Sequence, residues 1–489
     1  MNLYKHMFFL LTTLMLTSCD PAISDVLEGE TNVVEDQTNT GTTPPEPENS
    51  NVGLYLTTSN QSELFRLQTE SLPLANNNSN FSISVDSDVT YQEMDGFGYT
   101  LTGGSALHLN NMGASQRADL LNELFNPEEG IGLSYLRVSI GASDLDAEPF
   151  SYDDLPVGQT EDLNLDHFSI AKDQENLTPI LKEILAINPD IKILGSPWSA
   201  PSWMKTSNST IGGSLRPQYY SVYANYFVKY IQAYQSEGIT IDAITVQNEP
   251  LHDGNNPSMY MEANDMATFV KNHLGPTFAA ENTQTKIIVW DHNADVTSYP
   301  ISIFNDPAAN QYIDGSAFHL YGGSINELSQ VHDAHPDKNL YFTEQWVSSD
   351  GEFAGDLAWH TREVIIGATR NWCKNALQWN LVSNSQLEPH TPGGCTQCLG
   401  AITVDGNTVT RNVGYYIMAH ASKFVRPGSV RIGSNYDADL PNVAFETPEG
   451  KIVVIVLNNS AVNKPFNILT SEESISTSLA AGAVGTYVW

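Results

Sequence analysis

Basic residues are scarce in this 489-residue chain: 22 Lys and Arg stand against 57 Asp and Glu, a formal charge of -35 with histidine neutral. A surface so short of cations repels phosphate backbones, which argues against nucleic acid or an anionic polymer as partner and favours a neutral substrate. A saline habitat would account for the same imbalance. Cysteine is rarer still, with four in all. Only Cys395 and Cys398 are near neighbours, within Gly393-Gly394-Cys395-Thr396-Gln397-Cys398, and no second such pair exists to complete a four-ligand metal site. In an exported loop the pair reads as a local disulfide, with free thiols as the alternative; Cys373 stands apart at the end of a helix-like run. No helical His-Glu-x-x-His motif, no internal repeat and, beyond the extreme N-terminus, no long apolar run is present.

The N-terminus carries a processing signal. Lys5 and His6 precede the apolar run Met7 to Leu16, the length of a signal-peptide core and too short to span a bilayer as a helix. It ends in Leu16-Thr17-Ser18-Cys19, which resembles a bacterial lipoprotein box, where cleavage before the cysteine exposes it for lipid attachment. An ordinary secretory peptide is the alternative. Asp20 to Ser50 hold eight acidic residues, no basic ones and a Thr-Thr-Pro-Pro-Glu-Pro-Glu tract, too little apolar surface to order the segment. The expected organisation is therefore a signal at 1–18 and an acidic tether at 19–50. The chain is expected to be exported, monomeric and lipid-anchored through Cys19 in a bacterial outer membrane, with the membrane face left open.

Residues 51–92 alternate apolar and polar positions, as in Phe81-Ser82-Ile83-Ser84-Val85, and so do Lys451 to Leu457 and Val484 to Trp489. The two chain ends are thus expected to meet in one antiparallel β-sandwich, 51–92 with 411–489. Between them, at 93–410, strands alternate with helical stretches. Eight candidate strands run Phe97 to Thr102, Leu133 to Ile140, Ile191 to Ser196, Ile241 to Gln247, Lys286 to Asp291, Gly315 to Leu320, Leu340 to Glu344 and Ala376 to Leu381. Helices are expected over Tyr219 to Gln235, with Tyr223, Phe227, Tyr230 and Ile231 on one face, and over Leu357 to Trp372; between 290 and 345 the helices must be brief. The fold class is α/β, a (β/α)8 barrel with an attached β-sandwich.

What ends these strands carries the functional reading. In order they deliver Gly103-Gly104, Ser143-Asp144, Trp198, Asn248-Glu249, Asp291-His292, His319 and Tyr321, Glu344, and Trp379-Asn380. Singly, each has a structural explanation: Asp144 as a helix cap, His319 as a core histidine, Trp198 as packing. Together, at corresponding ends of successive strands, they would converge on one pocket. Glu249 and Glu344 each close an apolar run, and two carboxylates from different strands are the minimum equipment for breaking a glycosidic bond.

Asp95-Gly96-Phe97-Gly98, Leu136-Arg137-Val138-Ser139, Ser196 to Thr206, Gln247-Asn248-Glu249-Pro250, Phe318-His319-Leu320-Tyr321 and Gln378-Trp379-Asn380-Leu381 resemble the signature segments of glycoside hydrolase family 30, which contains glucosylceramidases and β-1,6-glucanases. The resemblance covers residue 92 to the end, in the same order. It implies a barrel with a β-sandwich, acting on β-glycosides with retention. Position by position, it implies Glu249 as acid/base and Glu344 as nucleophile. Asp144, Trp198, Asn248 and Trp379 would line the glycone subsite, Arg137 would support from below, and His319 and Tyr321 would surround the nucleophile. The loop from Gly393 to Cys398 departs from the glucosylceramidase pattern and is more like that of bacterial β-1,6-glucanases, which points to a β-glucan. Neither cofactor nor metal is expected. Exo-acting β-glucosidase or glucosylceramidase, and β-xylosidase or fucosidase, are the alternatives within the family.

Retention needs one carboxylate charged, to attack the anomeric carbon, and one protonated, to release the leaving oxygen. Arg137 near Glu344 would keep the nucleophile ionised, while burial beside that charge would raise Glu249. Asn248 can donate to the sugar 2-hydroxyl, and the carboxyls should lie about 5 to 5.5 Å apart. Other classes are a catalytically inactive carbohydrate-binding lipoprotein, a structural surface lipoprotein, and a metal hydrolase using Asp291, His292, His319, His332 and His335.

Overall fold

The computed structural model describes residues 50–75, 79–471 and 473–489. The signal at 1–18, Cys19 and the tether as far as residue 49 lie outside the described residues. Among the described residues, no helix is long and apolar enough to cross a membrane.

Runs rich in β-branched and aromatic residues, each bounded by a helix, can bury both faces only in a sheet covered by those helices. Eight such runs close into a barrel: β1 (Gly96–Thr100), β2 (Tyr135–Ser139), β3 (Lys192–Ser196), β4 (Ala243–Thr245), β5 (Lys286–Asn293), β6 (Ile313–His319), β7 (Asn339–Glu344) and β8 (Cys373–Asn380). Every neighbouring pair is parallel, and β8 closes on β1. The eight expected strands are the eight observed, with ends shifted by a few residues in either direction.

Alternation along the strands stacks the interior in layers. Tyr135, Leu194, Ala243, Ile288, Ala317, Tyr341 and Leu377, from seven of the strands, form one apolar layer. Two positions further along six of those strands stand Arg137, Ser196, Thr245, His319, Thr343 and Trp379, all buried. The same periodicity that packs the barrel therefore delivers a polar tier to its C-terminal mouth.

Helix Tyr220–Ser236 buries Tyr223, Phe227 and Tyr230 as expected and leaves Ile231 half-buried. Short helices Ser298–Phe304, Pro307–Asn310 and Leu328–Ala334 fill the 290–345 interval. Two expectations are corrected. The helical stretch from Phe353, which includes a wider turn at Thr361–Gly367, ends at Arg370, so Cys373 opens β8 instead of closing a helix. The barrel also continues past residue 410: helix Val413–Ser422 packs on β1, where the Tyr99 hydroxyl donates to the Gly414 carbonyl at 2.8 Å.

The chain ends do meet. Gly53–Thr57 runs antiparallel to Val484–Val488, and Phe81–Glu93 lies between Val430–Ser434 and Lys464–Leu469 in a nine-stranded arrangement with its own core around Ile83, Val454, Val456, Phe466 and Tyr487. His420 joins the two parts, its ring nitrogens each 2.8 Å from a hydroxyl, Thr57 on one side and Thr486 on the other. Burial lowers its pKa to about 3, so it bridges as a neutral ring.

Gly98 allows β1 and β2 to approach: a Cβ there would lie 1.8 Å from the Tyr135 carbonyl oxygen. Gly98→Ala is expected to destabilise the barrel by about 1–3 kcal/mol through forced backbone displacement, read as a lower urea midpoint with unchanged slope.

Candidate active site

A guanidinium in a barrel interior must be surrounded by acceptors or its desolvation would unfold the protein. Arg137, from β2, is fully buried and is surrounded in this way. Its Nη1 donates to Glu344 Oε2 at 2.6 Å, and its Nη2 donates to Asn248 Oδ1 at 2.6 Å, Asp291 Oδ2 at 2.8 Å and Ser196 Oγ at 3.2 Å. Asp291, at the end of β5, also accepts from Ser196 Oγ, Thr245 Oγ1 and Thr343 Oγ1, and contacts His319 Nε2 at 3.1 Å. Burial would raise this carboxyl, but Arg137 first, then His319 and Thr343, hold it far below the carboxylate range. Asp291 is thus a fixed anion tying five strands together.

Above this pair sit the two glutamates. Glu344 Oε1 accepts from the Tyr321 hydroxyl at 3.0 Å. Glu249 Oε1 lies 3.1 Å from His319 Nδ1, which is 3.8 Å from Glu344 Oε1. One oxygen of each glutamate and one ring nitrogen of His319 all fall within 4.8 Å of one another. Glu249 and Asp291 hold φ of 47° and 67°, left-handed backbone that costs about 1–3 kcal/mol at a non-glycine residue and turns each side chain off its strand end.

The acid-base order departs from expectation. Burial lowers the pKa of His319, yet Glu344 and the hydrogen bonds to Asp291 and Glu249 outweigh it and push it up to about 9. Burial would likewise raise Glu249, and the hydrogen bond with protonated His319 reverses this, so Glu249 lies below its ordinary value. Glu344 is raised by burial, with His319 and Arg137 opposing and the Glu249 charge adding to it. In the unliganded site the proton therefore rests on His319, one hydrogen bond away from the carboxylate expected to hold it.

An open cleft of about 320 Å³ covers the pair. Of the residues expected at the site, Asp144, Trp198, Asn248, Glu249, Tyr321, Glu344 and Trp379 line it, while Arg137 and His319 lie fully buried beneath. Asn248 commits its carbonyl oxygen to Arg137, which leaves its amide nitrogen as the group able to donate into the cleft. Trp198 and Trp379 lie 5.2 Å apart over the Arg137 guanidinium, 4.8 Å from the first ring. Both are nearly covered. The more accessible indole is Trp346, which the sequence reading missed along with His252, Asn255 and Asn293; His292 stands where the strand ends placed it, and the expected Cys395–Cys398 disulfide forms, in a place at the cleft that the sequence did not indicate. Adjacency to Glu344, in Glu344-Gln345-Trp346, was the signal available for Trp346; the disulfide loop is far from both glutamates in sequence.

A model described as the glycosyl hydrolase family 30 TIM-barrel domain matches residues 94–425, and one for the family 30 beta sandwich domain matches 428–487. The chain belongs to glycosyl hydrolase family 30. Among family members it is 36% identical over 394 residues to endo-1,6-beta-D-glucanase neg1 of Aspergillus fumigatus, covering 75% of this chain and 78% of that one. Endo-1,6-beta-D-glucanase BGN16.3 of Trichoderma harzianum is 31% identical over 478 residues, covering 91% and 95%. A solved structure, the endo-beta1,6-glucanase BT3312, superposes with a TM-score of 0.84 at 36% identity, covering 90% of this chain and 99% of that one.

Of the residues considered for a metal hydrolase in this family 30 enzyme, Asp291, His292 and His319 gather at the cleft, while His332 stacks on Trp372 and His335 contacts Asn305, and neither lines it. Glu249, His319 and Glu344 do approach one another, but both His319 nitrogens are engaged by carboxylates, leaving no lone pair for a cation.

Buried acids here favour low pH. Burial pushes Asp144 and Asp146 up to about 7 and Asp153 and Asp173 up to about 6. Each binds its proton more tightly folded than unfolded, so stability falls as pH rises from about 4 through those values. The His319 contribution is full below about 6.5 and is lost as pH rises through its folded value of about 9. Asp291 acts oppositely, losing its contribution only below about 4. His292, His360 and His420, which burial lowers to about 4, 3 and 3, and Lys205, lowered to about 7, act against this trend, gaining stability as pH rises toward their unfolded values. Calorimetry is therefore expected to show a smaller fall in melting temperature between about pH 4 and pH 7 for Asp146→Asn than for the native protein; an unchanged slope would contradict the assignment.

Proposed function

We propose that this enzyme cleaves β-1,6-linked glucan internally by double displacement, with Glu344 as nucleophile and Glu249 as acid/base. The observation that carries the chemistry is the Glu249–His319–Glu344 cluster within 4.8 Å, with Arg137 bonded to the outer oxygen of Glu344. The linkage is supported by the 1,6-glucanase names of the relatives above and by their coverage of both domains.

In the first step a Glu344 oxygen bonds to the anomeric carbon as the C–O bond to the leaving sugar breaks, and Glu249 hands its proton to that oxygen. Glu249 acquires the proton along its contact with His319 Nδ1, which leaves His319 neutral with its remaining N–H donating to Asp291. In the second step Glu249 takes a proton from water, the water oxygen bonds to the anomeric carbon, and the bond to Glu344 breaks. The Asn248 amide donates to the 2-hydroxyl as charge develops at the ring, while Tyr321 and Arg137 take up the negative charge of departing Glu344.

Glu344→Gln and Glu249→Gln are each expected to lower kcat on β-1,6-glucan by roughly 10³-fold or more, with β-configured products first seen by NMR of the native enzyme. Parallel assays on β-1,3-glucan, aryl β-glucosides, aryl β-xylosides and glucosylceramide complete the test. Release of glucose alone from the start, or faster turnover of another substrate, would overturn the endo-1,6 reading; α-configured first products would overturn retention.

We further propose that the mature enzyme is exported and held at the bacterial outer membrane by lipid on Cys19. The support is the apolar run ending in Leu16-Thr17-Ser18-Cys19 and the acidic stretch that follows. Labelled palmitate is expected to enter the native protein and not Cys19→Ala, whose release into a soluble fraction is the matching readout; equal labelling of both would refute anchoring there.

A further inference from the structure

The Cys395–Cys398 disulfide lies in the wall of the cleft, and its two ends touch different parts of the site. The Cys398 end is fixed by backbone. Cys398–Leu399 pairs antiparallel with Val347–Ser348, three residues beyond Glu344, and the Ser349 N–H donates to the Gln397 carbonyl at 2.9 Å. The Cys398 side chain is buried against Leu145, Trp198 and Trp379.

The turn before Cys395 is tied at Thr391, whose N–H donates to the Asp144 carbonyl and whose hydroxyl donates to the Asn256 carbonyl, and the Gly394 N–H donates back to the Thr391 carbonyl; beyond Gly394 the disulfide is the link that ties Cys395 to the Cys398 bridge. Two glycines precede Cys395, Gly393 with φ of 88° and Gly394, where an added Cβ would lie 2.4 Å from the Asp144 carbonyl oxygen. From that position the Cys395 N–H donates to Asp144 Oδ2 at 3.2 Å. A protein N–H on this carboxylate fixes its orientation and opposes its protonation, against burial and the nearby Glu344 charge that raise it.

We propose that the Cys395–Cys398 disulfide is a positioning device of the catalytic cleft, transmitting the rigidity of the Cys398 bridge to the amide that orients Asp144. The covalent link closes the turn on the side that the Thr391 bonds do not reach, fixing the Cys395 amide beyond the two glycines. The reading of Asp144 as a sugar contact rests on the proposed function; the placement of its carboxylate by the loop does not. Thiol chemistry need not occur during turnover: the bond acts by staying closed.

The test compares the native enzyme, the double variant C395S/C398S, Asp144→Asn and the triple combination, all checked for folding by circular dichroism and thermal melting. On β-1,6-glucan, C395S/C398S is expected to lose roughly 10-fold or more in kcat/KM, the scale of one hydrogen bond to a charged group, carried mainly by KM. Combining it with Asp144→Asn should add little further loss, because both changes act through the same carboxylate. Carbon-13 NMR should show the Asp144 titration midpoint moving upward in C395S/C398S, a readout independent of turnover. Should the serine variant melt early, the native enzyme reduced by a dithiol, two protein thiols forming as the dithiol is oxidised to its cyclic disulfide, is measured instead. Unchanged kinetics with an unchanged midpoint, or losses that multiply in the triple variant, would overturn the proposal. A native enzyme inactive on every glycan tested would instead sink the proposed function, and the NMR midpoint would still decide this one.

Discussion

The ion pair between Arg137 and Asp291 governs the mouth of the barrel. Two opposite charges with no exposed surface are costly to bury and persist only because four other strands contribute partners. Ser196, Thr245, Thr343 and His319 supply those partners from β3, β4, β7 and β6, so the pair fixes the register of the site and the electrostatics of the glutamates together. Remove either charge and the other is left unpaired in the core, a loss of about 3–5 kcal/mol in comparable settings.

From that anchor the proton follows. Asp291 holds His319 Nε2, which orients Nδ1 toward Glu249 and brings it within reach of Glu344. The expectation of a raised Glu249 considered two carboxylates and an arginine. With His319 included, the cluster is two carboxylates and an imidazole sharing a proton, and whichever group holds it decides which glutamate is the acid. The left-handed backbone at Glu249 and Asp291 belongs to the same arrangement, since an extended continuation would carry both side chains away from the barrel axis.

The walls of the cleft are built differently from its floor. Floor residues come from strands and are placed by sheet geometry; wall residues come from loops and are placed by local devices. Tyr321 is held by Glu344 and by the Trp346 N–H, which donates to its hydroxyl at 3.2 Å. Asp144 is held by a loop that reaches across β1, in which Thr391 N–H donates to the Asp144 carbonyl and Cys395 N–H to its carboxylate. That loop follows β8, whereas Asp144 follows β2, so the contact spans 251 residues of chain.

Local sequence carried the barrel because its strands are short apolar runs, separated by helical stretches, that stop at polar residues; the layer Tyr135, Leu194, Ile288, Tyr341 and Leu377 lies within those runs. The same marks placed Glu249 and Glu344 on separate strands, and the motifs around them named the family. Helix Val413–Ser422 was misassigned because its packing on Tyr99 is a long-range contact with no local signature. Asp291 stood among the strand ends as a candidate ligand, but its role as the buried anion emerged only when four hydroxyl and imidazole donors converged on it from other strands. Which residues could do chemistry was set by their order along the chain; which proton they share, and which loop holds Asp144, was decided by contacts between residues 28 to 251 positions apart. Pairwise electrostatics depends on distance in space, and a linear pattern does not contain that distance.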